Sequence, residues 1–306
     1  MGNLPAPVRR GAVTAIRRLP PRAVRRLPGR RLRSLVLPTV GDVLGAYPVA
    51  FERAPTHYGF ELAGTTEDLL QRNVYLFGVW EPHISRWVHD FLREGDVVVD
   101  IGANVGWFSL LCARRVGPRG RVVAFEPVPS IVEALQRNLA LNDIGWVDVH
   151  ACVAGDEPGT AEIFRGTGDN LGLSSTEAAA GAASEGVVAR VRGADVVPAE
   201  LWSRVRLVKA DTEGDELRAL RGLEPLLRAM PAGAAALVEV TPDELRRRGQ
   251  TAQEIVDLLR GAGFDRMAVV PNSYESADYA GGDVLGPQPI AAAPDDKADV
   301  LFVKGA

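Results

Sequence analysis

Four short stretches of the 306-residue chain carry side chains whose types and spacing could do chemistry. The first is Asp100-Ile101-Gly102-Ala103-Asn104-Val105-Gly106, an acid and a two-glycine turn placed directly after an apolar run at 96–99. Glu126 closes a second apolar run about twenty residues after Gly106. Asp211-Thr212-Glu213-Gly214 closes a third, and Glu239 sits near the end of a fourth. Glycines without a Cβ let the backbone bend sharply and let a ligand lie against it, and a helix starting there offers unpaired N–H groups and a partial positive charge. A carboxylate such as Glu126 can accept both hydroxyls of a ribose.

The spacing narrows the ligand. A dinucleotide fingerprint needs a further glycine where this chain has Trp107, and no Gly-Lys-Ser/Thr follows for a P-loop. Asp100 with Glu126 therefore suits an adenosine that carries no pyrophosphate, which points to S-adenosylmethionine. Methyl transfer from a sulfonium is an in-line displacement that depends on alignment. An alkyl hydroxyl also needs a base within hydrogen-bond reach. Asp211 is the first candidate, with Glu213 and Glu239 next, although Asp211 could instead cap the following helix through its Asp-x-x-Gly spacing. No metal site is expected: Asp215 and Glu216 point around a helix and read as a solvated acidic face. The four histidines, at 57, 83, 89 and 150, sit in no motif and read as surface or helix-face residues.

The positioning elements follow from periodicity. Strands are expected at 96–100, Arg121–Phe125, 146–151, 160–165, 187–192, Val205–Ala210, Ala235–Val240, 266–270 and Ala298–Lys304. Helices are expected over 82–93, over Pro129–Leu141, after Asp211 with Leu217, Leu220, Leu223, Leu227 and Met230 inward, and from the Thr251-Ala252-Gln253-Glu254 capping box onward. Residues 166–186 read as a flexible loop at the mouth of the site, and 271–297 as a substrate-side flap carrying Tyr274 and Tyr279. The ends of strands at 100, 126 and 211 belong over one crevice of a doubly wound sheet.

Four motifs in this order, Asp-Ile-Gly-Ala-Asn-Val-Gly at 100–106, Phe-Glu-Pro at 125–127, Arg-Asn-Leu-Ala-Leu-Asn at 137–142 and Lys-Ala-Asp-Thr-Glu-Gly-Asp-Glu at 209–216, resemble the FkbM family of S-adenosylmethionine-dependent methyltransferases over residues 75–265. The resemblance implies an α/β, Rossmann-like class I methyltransferase fold with a seven-stranded, mostly parallel sheet and an antiparallel last strand. It implies cofactor contacts from Glu81, Asp100, Gly102, Asn104, Gly106, Glu126, Pro127 and Asn142. Glu81, in a Trp-Glu-Pro segment, reaches either the ligand or only the helix dipole. The implied acceptor is a hydroxyl on a sugar, glycan or secondary metabolite. N-methylation of a small molecule or peptide, or a non-catalytic interaction role for the same fold, stand as alternatives.

Composition adds a contrast of charge. The net charge is −4, but the first 41 residues hold ten arginines and no acid, which leaves −14 on the rest. The reading is a basic arm over 1–41, with two short amphipathic helices suited to an anionic membrane surface or an acidic partner. A mixed cover follows over 42–94, and the methyltransferase domain over 95–306. No apolar run is long enough to span a membrane, and the arm lacks the apolar centre of a signal peptide. A cytoplasmic protein, membrane-peripheral through the arm, is expected. Nucleic acid is not an expected partner, because no aromatics or recognisable module accompany the arginines. Two cysteines give neither a disulfide framework nor a metal quartet.

Overall fold

The computed structural model describes residues 13–16, 18, 30–165, 174–175, 183–272, 276–279 and 283–305. In chain order its strands are β1 (Ala50–Pro55), β2 (Glu61–Thr65), β3 (Val97–Ile101), β4 (Arg121–Phe125), β5 (Val147–His150), β6 (Val153–Gly155) and β7 (Gly159–Arg165). They continue with β8 (Ser174–Ser175), β9 (Ala183–Arg192), β10 (Val205–Ala210), β11 (Ala235–Val240), β12 (Phe264–Val270), β13 (Gln288–Pro289) and β14 (Ala298–Lys304). The main sheet runs β13-β12-β14-β11-β10-β3-β4-β5. From β11 to β5 every pairing is parallel, and β14 inserts antiparallel between β11 and β12. The seven expected strands are present, and the two-residue β13 adds an eighth at the edge from within the 271–297 connection.

Valine-rich runs make the centre of this sheet because a parallel strand covered on both faces must be apolar on both. All five residues of β3 and all six of β11 are buried. Their alternation feeds two cores. Val98, Val122, Leu207 and Leu237 face one side, while Val99, Val123, Val208 and Val238 face the other. The segment over 42–94 contributes Leu44, Phe60, Leu62, Val74, Trp80 and Ile84 to the first core, so it shares the core of the sheet.

Three local outcomes differ from expectation. The helix after Asp211 breaks into Glu216–Gly222 and Glu224–Ala229, because Pro225 has no N–H to continue the ladder and its ring crowds the preceding turn. A helix spans Arg30–Ala46, across the expected boundary at 41, and buries Val40, Val43 and Leu44. Within the expected loop over 166–186, residues 174–175 and 183–186 are strand, in a second sheet of order β6-β9-β7-β8. The rest of that loop lies outside the described residues, as does most of the basic arm, of which residues 13–16 are helical.

Candidate active site

The carboxyl ends of β3, β4, β10 and β11 open into one cavity. Of the eleven site residues expected from the sequence, eight line it: Glu81, Gly102, Asn104, Glu126, Pro127, Asp211, Glu213 and Glu239. Asp100, Gly106 and Asn142 do not. Asp100 is buried beneath the turn, with one carboxylate oxygen accepting from Ser109 Oγ at 2.6 Å and the other without a hydrogen-bond partner among the described residues. Gly106 starts the helix Trp107–Val116 at φ 97°, where a Cβ would stand 2.4 Å from Leu135 Cδ1. Asn142 accepts from the Glu61 N–H at 2.8 Å and donates to the Glu61 and Asn138 carbonyls, so its side chain ties β2 to the helix Pro129–Leu141.

At the other glycine the constraint comes from the chain itself. Gly102 has φ 78°, and a Cβ there would lie 1.8 Å from the Asp211 carbonyl oxygen. The turn after β3 and the turn after β10 therefore touch, which brings the Asp211 end beside the glycine turn.

Part of the cavity lining is apolar, with Phe125, Cys152, Val153, Ala154 and Ile163. Glu126 stands beside it, 4% exposed, its Oε2 accepting from Asn104 N at 2.9 Å and its Oε1 from Val128 N at 3.0 Å. Burial pushes its carboxyl up to about 7 against the pull of those two N–H groups. Each oxygen keeps a second lone-pair direction for a hydroxyl donor.

Another part of the lining is densely charged, with Glu81, Lys209, Asp211, Glu213 and Glu239. Lys209, buried in the wall, places Nζ 2.9 Å from Asp211 Oδ2. Burial opposes its charge, but the carboxylates of Asp211, Asp100 and Glu81 outweigh that and raise it above the ordinary lysine value. Burial, then Asp211 and Glu213, push Glu239 up to about 10, and burial with Asp211 pushes Glu213 up to about 7. Glu81 is lifted to about 8 by burial, then by Asp299 and Asp211. Carboxylate oxygens of Asp211, Glu213 and Glu239 lie within 4.8 Å of one another.

The backbone here is strained as well. Glu81, Asn104 and Glu213 have φ of 43°, 51° and 55°, in the left-handed region that costs a residue with a Cβ about 1–2 kcal/mol. Asn104 offsets part of this, its Oδ1 accepting from the Val105 N–H at 2.6 Å.

Asp211 does not cap the next helix, since its side chain is engaged by Lys209. The acid that closes the turn is Glu216, which accepts from Thr212 N at 2.8 Å and Gly214 N at 3.0 Å. The expected solvated acidic face is corrected accordingly: Asp215 is 5% exposed and Glu216 fully buried. His83 is likewise buried, its Nδ1 accepting from the Leu285 N–H at 3.0 Å. Sequence reading passed over Lys209 and Lys297 as chemical groups. The i, i+2 spacing of Lys209 and Asp211 on one strand face was a usable signal; Lys297, between Asp296 and Asp299 in a long connection, offered none.

A model of the methyltransferase FkbM domain matches residues 100–266. The chain is 30% identical over 210 residues to 31-O-demethyl-FK506 methyltransferase FkbM of Streptomyces tacrolimicus, covering 58% of this chain and 75% of that one. It is 30% identical over 162 residues to methyltransferase sdnD of Sordaria araneosa, covering 44% and 62%. A SAM-dependent O-methyltransferase structure from Thermotoga maritima aligns at 16% identity with a TM-score of 0.42, covering 83% of this chain and 77% of that one. The matches span 62% and 59% of sdnD and of methyltransferase 1 from Beauveria bassiana. The chain belongs to the FkbM methyltransferase domain family, whose methyl donor is S-adenosylmethionine.

Proposed function

We propose that the protein transfers a methyl group from S-adenosylmethionine to a hydroxyl oxygen of a sugar, glycan or secondary metabolite, with Asp211 as the proton acceptor. The residues present fit the cofactor. The apolar lining suits an adenine, Glu126 with its spare lone pairs suits the ribose diol, and the acids with Lys209 suit an amino-acid head. When bound, the sulfonium supplies an activated methyl group. The chain supplies alignment, exclusion of water by Trp80 and Phe108, and a place for the proton.

The observation that carries the reading is Asp211 itself, which follows β10 into the cavity wall and is fixed there by Lys209 at 2.9 Å. The name of the Streptomyces tacrolimicus relative specifies a demethylated oxygen on FK506, which supports an oxygen acceptor. The test begins with a screen of sugars, glycosylated metabolites and peptides for methyl uptake. On an acceptor so found, Asp211→Asn keeps the shape and removes the basicity, so the rate is expected to fall about 10²-fold with little change in cofactor affinity. Near-normal turnover in Asp211→Asn, with collapse in Glu213→Gln or Glu239→Gln, moves the base to that residue. Methyl uptake by amines alone sinks the oxygen reading.

A further inference from the structure

The connection between β12 and β14 carries a cation onto the acid cluster. Lys297 Nζ lies 2.8 Å from Glu239 Oε1 and 3.9 Å from Glu213 Oε2. The pair is asymmetric: the Lys297 side chain is 46% exposed, whereas that of Glu239 is 5% exposed. The lysine can turn into water at little cost, but the glutamate cannot follow it.

Facing the Glu213 and Glu239 carboxyls are Lys209 from β10, Asp211 just after it, Glu216 from the helix that follows, Asp299 from β14, and Lys297. Three carboxylates within 4.8 Å do not all ionise without nearby positive charge. Lys209 meets Asp211 from inside the wall, and among the described residues the ammonium paired with Glu239 is that of Lys297.

We propose that Lys297 is a positioning residue for proton acceptance, its ammonium turning and neutralising the Glu213–Glu239 pair so that the cluster takes up the one proton the acceptor releases. This rests on the reading of methyl transfer to oxygen. In that step the new C–O bond forms and the methyl–sulfur bond breaks with its electron pair going to sulfur. The acceptor O–H bond breaks, and its proton goes to Asp211 within the cluster. Without Lys297, Glu213 and Glu239 hold their own protons to higher pH.

Carbon-13 NMR titration of the full chain labelled at the glutamate side-chain carboxyl tests this with no acceptor present. Glu213→Gln and Glu239→Gln assign the two resonances. In Lys297→Met both midpoints are expected to rise by about one pH unit or more, in Lys297→Arg to return near wild type, and the Glu126 midpoint to stay put as an internal control. Unchanged Glu213 and Glu239 midpoints in Lys297→Met overturn the proposal. On an identified hydroxyl acceptor, Lys297→Met is then expected to move the rising limb of the kcat profile to higher pH with KM little changed. If the midpoints move but that limb does not, the role in proton acceptance is overturned. If amines alone are methylated, the oxygen reading fails and the titration still reports separately on the ion pair.

Discussion

The residue that most directly reports on cofactor binding is Glu126. Its carboxyl is held up to about 7 by burial, so it changes charge in the range where binding is measured. A ribose diol donates to the ionised form. Affinity for S-adenosylhomocysteine is therefore expected to fall as pH drops through about 7, while Glu126→Gln, which has one carbonyl oxygen and no titration of its own, binds about tenfold or more weakly with a shallower profile that keeps only the part set by Glu81 and Glu213. Calorimetry across pH 5.5 to 8.5 decides between the two profiles. At this scale the sequence was informative wherever a carboxylate or glycine closes an apolar run, since strand ends of a doubly wound sheet meet at one crevice. It was silent on Lys297 because a salt bridge to Glu239 joins residues 58 apart, with no local pattern to mark it. Asn142 shows the converse: a motif position near the site in sequence has its side chain bonded to the Glu61 backbone of the β1–β2 hairpin.

Among the elements, the contact between the small sheet and the helix Glu216–Gly222 rests on a missing side chain. A Cβ on Gly222 would stand 1.9 Å from the Gly155 carbonyl oxygen, a backbone atom that cannot rotate away. Gly222→Ala is expected to lower stability by several kcal/mol, about 3 or more, since β6 or the helix must shift. Gly145→Ala meets nothing within 4 Å, and its φ lies outside the left-handed region, so it is expected to be neutral or to stabilise by about 0.4–1 kcal/mol. Urea denaturation of the two variants side by side separates a packing effect from a chain-entropy one. The strands Arg121–Phe125, Val205–Ala210 and Ala298–Lys304 were legible to the residue because burial on both faces leaves long apolar runs. The break at Leu223 was not, because the leucine periodicity continues through it on both sides of Pro225.

For the whole molecule, the raised carboxyls set how stability responds to pH. Glu126, Glu213, Glu81 and Glu239 titrate near 7, 7, 8 and 10 when folded, each above the ordinary glutamate value of 4.5. The folded chain thus keeps protons that the unfolded chain has lost, and their contribution to stability is full below about pH 4.5 and declines as pH rises through these values. Melting of the ligand-free chain at pH 5.5 is expected several degrees above that at pH 8.5, and Glu239→Gln is expected to flatten the difference. Removal of residues 1–29 is expected to lower this melting transition by a few degrees at most, because Ile16 packs only partly buried against the first core while the fully buried apolar side chains Val40, Val43 and Leu44 lie on the helix that is kept. The same truncation is expected to abolish low-salt retention on anionic vesicles, by the loss of seven arginines; equal retention of both forms moves the attachment elsewhere.

The left-handed backbone at Glu81, Asn104 and Glu213 bears on how this chain responds to selection. Glycine at any of the three relieves strain of about 1–2 kcal/mol, so a search that rewards heat resistance alone gravitates toward these positions. Each such gain removes a side chain that faces the cavity, so heat resistance and ligand recognition pull the same three codons in opposite directions.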